Sequence, residues 1–110
     1  MDEETLPKPP GTYTAFVTRF PDLAEAWEHI GRAGRQGPLD DETARLIKLG
    51  IAIGAMREGS VHSSVRKASA SGISTEALEQ VVALAAGTIG MPSTVAVWTW
   101  VHDELNKDRS

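Results

Sequence analysis

Residues 72–92 read GISTEALEQVVALAAGTIGMP, and the order of signals in this stretch decides the fold. Ser74 or Thr75 can cap the start of a helix, because a hydroxyl there accepts a hydrogen bond from a free backbone N–H. Gly87 to Gly90 is expected to break that helix, and Pro92 is well placed to start the next one. Four apolar residues are expected on the buried side of the first helix: Leu78, Val81, Val82 and Leu84.

Helices are also predicted before this stretch. Asp40 or Asp41 can cap a helix over residues 42–56, ETARLIKLGIAIGAM, which is apolar on most sides after Lys48 and is therefore expected to be the central buried helix. Gly50 and Gly54 are four residues apart and share a face, which favours the close approach of another helix. A further helix is predicted from Glu58 to Ser71, where Gly72 can end it.

The two ends of the chain extend the same pattern. Pro21 can sit in the first turn of a helix over residues 22–35, whose apolar positions are spaced by three and four: Leu23, Ala26, Trp27 and Ile30. Residues 12–20 are interpreted as a short helix or an extended entry. Residues 95–102, VAVWTWVH, have strand propensity, but Pro92 and the polar end favour a helix with a stripe of Trp98, Val101 and Leu105. The sequence thus predicts an all-α fold of five to six helices.

Composition limits the classes of function. A chain of 110 residues suits one domain, predicted over 11–110 after a flexible acidic and Pro-rich tail at 1–10. The absence of cysteine excludes disulfides, thiolate zinc sites and thiol redox chemistry. A net charge of −4 with scattered Lys and Arg indicates no nucleic-acid partner and argues against an anionic membrane surface. The tail does not resemble a signal peptide and no apolar run is long enough to span a membrane, so a cytoplasmic protein is expected.

Common catalytic and binding motifs are missing. The sequence contains no GxxxxGK[ST] phosphate loop, no GxGxxG fingerprint, no HExxH and no GxSxG nucleophile elbow. The three histidines, His29, His62 and His102, are far apart in sequence, so no metal site is predicted.

Residues 57–67, REGSVHSSVRK, are the candidate site. Glu58 and His62 are four residues apart, so on a helix their side chains can meet, and a carboxylate beside an imidazole can fix its tautomer for general acid–base work. Arg66 extends the same row by four residues. The alternative is a solvated helix face with an ordinary pair of polar side chains.

A second row on this helix contains Arg57, Ser60 and Ser64. It lies roughly 200° around the helix from His62. A serine needs a nearby base to become a nucleophile, and this histidine points elsewhere. Serine catalysis is therefore not expected.

The segment from Leu46 to Pro92 resembles the carboxymuconolactone decarboxylase family, which shares its fold with the alkylhydroperoxidase AhpD. The resemblance rests on an apolar helix, a reactive turn, an Ala-rich helix, and then two short motifs in the right order. The first is Gly72-Ile73-Ser74-Thr75-Glu76-Ala77-Leu78 and the second is Gly90-Met91-Pro92. It covers about residues 20–105 and implies an AhpD-like helical bundle.

The reactive turn departs from the family pattern. By position, the CxxC and the following His of the peroxidase branch fall on Arg57, Ser60 and Ser64, so a thiol hydroperoxidase is excluded. The Glu-x-x-x-His of the decarboxylase branch falls on Ser60 and Ser64. A pair of the same form is present two residues earlier, as Glu58 and His62, and many relatives look like E-G-x-V-H-S-H with a histidine at both places.

The resemblance implies two hypotheses. In the first, the chain is a cofactor-free lyase or decarboxylase that acts on a small carboxylated lactone or ring. His62 is then the proton donor or relay, oriented by Glu58, while Arg57 or Arg66, together with Ser60 and Ser64, binds the substrate. In the second, it is a non-catalytic oligomeric module with a decayed site, which binds a small ligand or a partner protein. The resemblance also implies a homo-oligomer, a trimer or a hexamer.

Overall fold

The computed structural model describes residues 10–107, and these form six helices and no strand. The helices are α1 (Pro10–Arg19), α2 (Pro21–Gly34), α3 (Asp41–Gly54), α4 (Glu58–Ala70), α5 (Thr75–Ile89) and α6 (Met91–Asn106). The all-α prediction is confirmed, and residues 95–102 are helical. Residues 1–9 of the tail predicted at 1–10 lie outside the described residues, and Pro10 is the first residue of α1.

The predicted helix starts follow from local hydrogen bonds. The Asp40 side chain accepts from the Thr43 backbone N–H at 2.8 Å, and Ser74 Oγ accepts from the Ala77 N–H at 3.1 Å. The hydrogen bonds from Thr43 lower the pKa of Asp40. Asp40 is therefore the cap of α3, and Ser74 is the cap of α5. The sequence alone had left Asp41 and Thr75 as alternatives.

The described chain divides near Pro38 and Leu39 into two compact units. In the second unit, α3 packs on α4 and α5, and α6 packs on the same two helices, so the four helices form a ring. The edge between α4 and α6 is consequently opposite the edge between α3 and α5. The largest side chains that are fully buried within the ring are Leu49, Ile53, Val61, Val65, Leu78, Val82, Val97 and Val101.

The first unit contains α1 and α2 and has little interior. The rings of Phe16 and Phe20 lie 5.7 Å apart, and the Arg19 guanidinium lies 4.5 Å from the Phe20 ring. No residue of α2 is buried, and the predicted apolar stripe of this helix is exposed along Leu23, Trp27 and Ile30.

Two packing predictions were wrong, and one helix end was placed too early. α5 continues through Gly87 to Ile89, so the break predicted from Gly87 to Gly90 occurs at Gly90. Leu84 is exposed on the outer face of α5. α3 is only half covered, because Leu49 and Ile53 are buried while Ile51 faces outward. An apolar sequence does not reveal how many neighbours a helix has, and α3 has neighbours on two sides only.

Candidate functional site

His62 lies at the edge of the core on α4. Its neighbours Val61 and Val65 are fully buried, and His62 is one residue further around the helix, so its ring lies at the border of the buried face. The side chain is 19% exposed. The ring therefore faces α6 on one side and solvent on the other.

Glu104 of α6 is the hydrogen-bond partner of His62. Its Oε1 lies 2.9 Å from His62 Nδ1, and the Glu104 side chain is only 6% exposed. This carboxylate continues the buried stripe of α6 that includes Val97 and Val101, at a spacing of four and then three. The helix packing that buries these valines therefore also places a carboxylate between α4 and α6.

Two basic side chains also contact Glu104. Arg66 Nη1 lies 3.5 Å from Oε2, and Lys107 Nζ lies 3.1 Å from Oε1. Burial raises the pKa of Glu104, but the hydrogen bonds from His62 and Lys107 and the charges of Lys107 and Arg66 outweigh it and hold this pKa below its ordinary value. Glu104 is thus ionised at neutral pH.

The ionised carboxylate fixes the tautomer of the ring. A carboxylate can only accept hydrogen bonds, so the hydrogen on His62 must be on Nδ1. Nε2 of the neutral ring then carries the lone pair. This is the atom at which His62 can take up or deliver a proton.

Glu58 approaches the second ring nitrogen. Its Oε2 lies 3.6 Å from His62 Nε2, and its side chain is 60% exposed. That distance is too long for a hydrogen bond. The predicted meeting of Glu58 and His62 is present as a loose contact, while Glu104 is the group that orients the ring.

The structure separates the predicted site residues into two groups. Glu58, His62 and Arg66 lie together beside Glu104. Arg57 precedes the first turn of α4, and Arg57 and Ser60 are exposed, while Ser64 is half-buried on the same side as Ser60. Helix geometry keeps these serines well around α4 from His62.

Sequence reasoning missed Glu104 and Lys107. The signal that could have identified Glu104 is its spacing, because it is a charged residue three positions after Val101, where helix periodicity predicts a buried side chain. The sequence prediction instead ran the stripe through Trp98, Val101 and Leu105, and Trp98 is exposed. The buried stripe of α6 consists of Thr94, Val97, Val101 and Glu104.

A second histidine–carboxylate contact joins α5 and α6. His102 Nε2 lies 3.0 Å from Glu79 Oε2, and the centre of its ring is 4.3 Å from that of Trp98. Nε2 is buried, yet it makes no well-aligned hydrogen bond despite the short distance. The contact between His102 and Glu79 is therefore short but is not an oriented dyad like that of His62 and Glu104.

A groove of about 560 Å³ runs between α3 and α5. No ionisable side chain lines it, and the ring arrangement puts it on the opposite side of the bundle from His62. Gly50 and Gly54, predicted to allow a close helix approach, are part of its wall. The other lining residues are Thr43, Leu46, Ile47, Ala77, Gln80, Val81, Leu84, Ala85, Thr88 and Ile89.

Two features associated with other classes of protein are not found in residues 10–107. No group of three or more His, Cys, Asp or Glu side chains could hold a metal ion. No helix in this range is long and apolar enough to cross a membrane.

Comparison with known families gives one match. The model described as CMD, Carboxymuconolactone decarboxylase family, matches residues 21–103, more than half of the 110-residue chain. No curated protein and no solved structure matches the chain. The match includes the whole of α2 to α5, with His62, and most of α6 up to the residue before Glu104.

Proposed function

We propose that this chain, which belongs to the carboxymuconolactone decarboxylase family, is a cofactor-free lyase that acts on a small carboxylated lactone or ring. His62 is the general acid–base residue, and Glu104 is the positioning residue behind it. The chain has no cysteine and hence no CxxC motif. The proposal therefore uses proton transfer rather than thiol chemistry.

The hydrogen bond between His62 Nδ1 and Glu104 Oε1 carries this proposal. A buried carboxylate that holds one ring nitrogen fixes the orientation of the imidazole and stabilises its protonated form. The other nitrogen, Nε2, is left on the side where Glu58 is solvent-exposed. A histidine held this way can donate a proton to a substrate and recover it from solvent.

The reaction has a simple proton balance. The bond between the carboxylate carbon and the ring carbon breaks, CO₂ leaves, and the electron pair stays on the ring as an enolate. The proton on His62 Nε2 then passes to that carbon, and the neutral histidine is reprotonated from water. The substrate must be one whose carbanion is stabilised by an adjacent carbonyl, because the chain has to stabilise this charge without a cofactor.

Arg66 is the side chain best placed to hold the substrate carboxylate. It already contacts Glu104 at 3.5 Å and remains about one-third exposed, so part of its guanidinium is open to solvent. When His62 is neutral, the two positive charges of Arg66 and Lys107 equal the two negative charges of Glu58 and Glu104. An anionic substrate would therefore favour the protonated ring, which is the form that donates.

A thermal-shift screen against small carboxylates, muconolactone-type lactones and acyl thioesters tests this proposal. A compound at 100 times its Kd should stabilise the native state by about 2.7 kcal/mol. We expect that at least one carboxylated compound raises Tm, and that this shift disappears in His62→Ala. His29→Ala is the matched control, because His29 lies on the exposed helix α2. A shift that survives in His62→Ala contradicts the proposal.

One observation favours a second candidate function, a non-catalytic module that binds a neutral ligand or a partner protein. The turn positions used by the family contain Arg57, Ser60 and Ser64, and the groove between α3 and α5 has no ionisable lining residue. On this hypothesis the contacts of Glu104 only join α4 to α6. Stabilising compounds would then be neutral, and His62→Ala would not affect their binding.

We also propose that the chain acts as a homo-oligomer, a trimer or a hexamer. The exposed apolar side chains on both units support this, because a small monomer rarely leaves so many large apolar side chains in water. Size-exclusion chromatography with light scattering tests it, and a monomer at micromolar concentration would contradict it.

A further inference from the structure

We propose that the groove between α3 and α5 is the docking site for helix α2 of a second copy of this chain. The inference is independent of the chemistry proposed for His62. It commits to one occupant, the apolar stripe of α2 formed by Leu23, Trp27 and Ile30.

The groove is long enough to accept the stripe. The groove extends from Thr43 to Gly54 on α3 and from Ala77 to Ile89 on α5, about 16 Å and about 18 Å at 1.5 Å per residue. The stripe from Leu23 to Ile30 spans about 10 Å. A helix lying lengthwise between α3 and α5 can therefore place the whole stripe in the groove.

The α3 wall of the groove includes two glycines that have open space beside them. A Cβ added to Gly54 would meet no atom within 4 Å, and one added to Gly50 would meet only Val81 Cγ1 at 3.9 Å. No helix within this unit uses the close approach that these two glycines allow. The space beside them is suited to a large side chain from outside, and Trp27 is the largest side chain of the stripe.

The stripe needs a partner of this kind. Trp27 is 64% exposed and Ile30 is 61% exposed, and α2 buries no residue at all. Glu25, Glu28 and Arg32 lie on its opposite face, so the helix is strongly amphipathic. Such a helix gains stability by placing its apolar face against another apolar surface.

The groove and the stripe of α2 are also alike in polarity. The groove contains no ionisable side chain, and the stripe contains none either. The groove also includes apolar side chains that face solvent, with Leu84 71% exposed and Ile47 45% exposed. A charged ligand would lose its hydration in this groove without gaining a partner.

The contact is made more than once in an assembly. Each chain carries one stripe and one groove, so a two-fold pair makes the contact twice. Trp27 is 64% exposed and alone adds roughly 100–160 Å² of apolar surface to each contact. A larger closed ring makes the same contact at every junction.

The lack of native cysteine allows a direct test by disulfide trapping between two chains. One preparation carries Trp27→Cys and the other carries Gly54→Cys, so a disulfide between the two variants joins different chains. We expect that mixing and mild oxidation give a mixed dimer, identified by tags of different mass. Ser69→Cys on the exposed side of α4 is the matched control for Gly54→Cys and should give no mixed dimer with Trp27→Cys.

A second measurement uses steric blocking. Gly54→Leu should fill the groove without disturbing the fold, because no atom lies within 4 Å of the new Cβ. We expect at least a tenfold rise in the dissociation constant, measured by sedimentation, with an unchanged helical circular dichroism spectrum. Gly59→Leu on α4, which also has open space, should leave association unchanged. A monomeric wild type, or an oligomer that Gly54→Leu does not weaken, would overturn the proposal.

Discussion

Glu104→Gln removes one charge from the interior while keeping the shape of the side chain. The carboxylate accepts from His62 at 2.9 Å and is almost fully buried. A hydrogen bond to a charged group contributes about 1.5–3 kcal/mol. The ion pairs with Arg66 and Lys107 add little, since both cations remain partly solvated and exposed pairs contribute about 0–1 kcal/mol. We expect a loss of about 2 kcal/mol in the free energy of unfolding at pH 7.

Urea denaturation followed by circular dichroism measures this loss, and the corresponding fall in Tm is about 10 °C for a domain of this size. Glu58→Gln is the control, because Glu58 is 60% exposed and 3.6 Å from the ring. Its effect should stay below about 0.5 kcal/mol. Equal losses from the two variants would refute the reasoning that burial and the short hydrogen bond set the energy.

The loss should also depend on pH. The pKa of Glu104 is lower in the folded protein than its ordinary value of 4.5, so its contribution is fully present above that value and is lost as the pH falls further. The unfolding free energies of the wild type and Glu104→Gln should therefore converge as the pH falls below 4.5. A difference between them that stays constant from pH 7 to pH 3 would show that the carboxylate charge is not the cause.

Three further predictions concern the ends of helices and the second histidine. Ser74→Ala should cost about 1 kcal/mol in thermal or urea unfolding, because its hydroxyl caps α5, and Ser74→Asp should restore most of that stability. Gly90→Ala should lower the free energy of unfolding by roughly 1–2 kcal/mol, because Gly90 has φ +87°, which a residue with a Cβ rarely adopts, even though no atom lies within 4 Å of the new Cβ. Gly87 lies within α5, so Gly87→Ala should instead stabilise the fold. Glu79→Gln should cost less than about 1 kcal/mol in urea unfolding, because the side chains of His102 and Glu79 are 29% and 31% exposed, and a loss above about 2 kcal/mol would contradict this.

The helices were predictable because their ends are encoded locally. Asp40, Ser74 and Gly72 act within one turn of their own position, and Pro21 and Pro92 can only occupy a first turn. The site was predicted in part for the same reason, since Glu58, His62 and Arg66 follow one another on α4. That these three side chains lie near one another follows from helix periodicity alone.

Glu104 could not be paired with His62 from the sequence, because the two residues are 42 positions apart and meet only through the packing of α4 on α6. The exposure of Leu84 and Ile51 has a similar origin. Their helices look apolar on several sides, but only the arrangement in a ring of four decides which sides are covered. The sequence pattern of a helix records its apolar faces and not the neighbours that cover them.

Release of CO₂ from carboxylated lactones, beginning with carboxymuconolactone, tests the proposed role of His62 most directly. We expect turnover by the wild type that is abolished in His62→Gln, strongly reduced in Glu104→Gln and nearly unchanged in His29→Gln. Turnover that persists in His62→Gln, or no turnover of any carboxylated lactone by the wild type, would contradict the proposed role of His62.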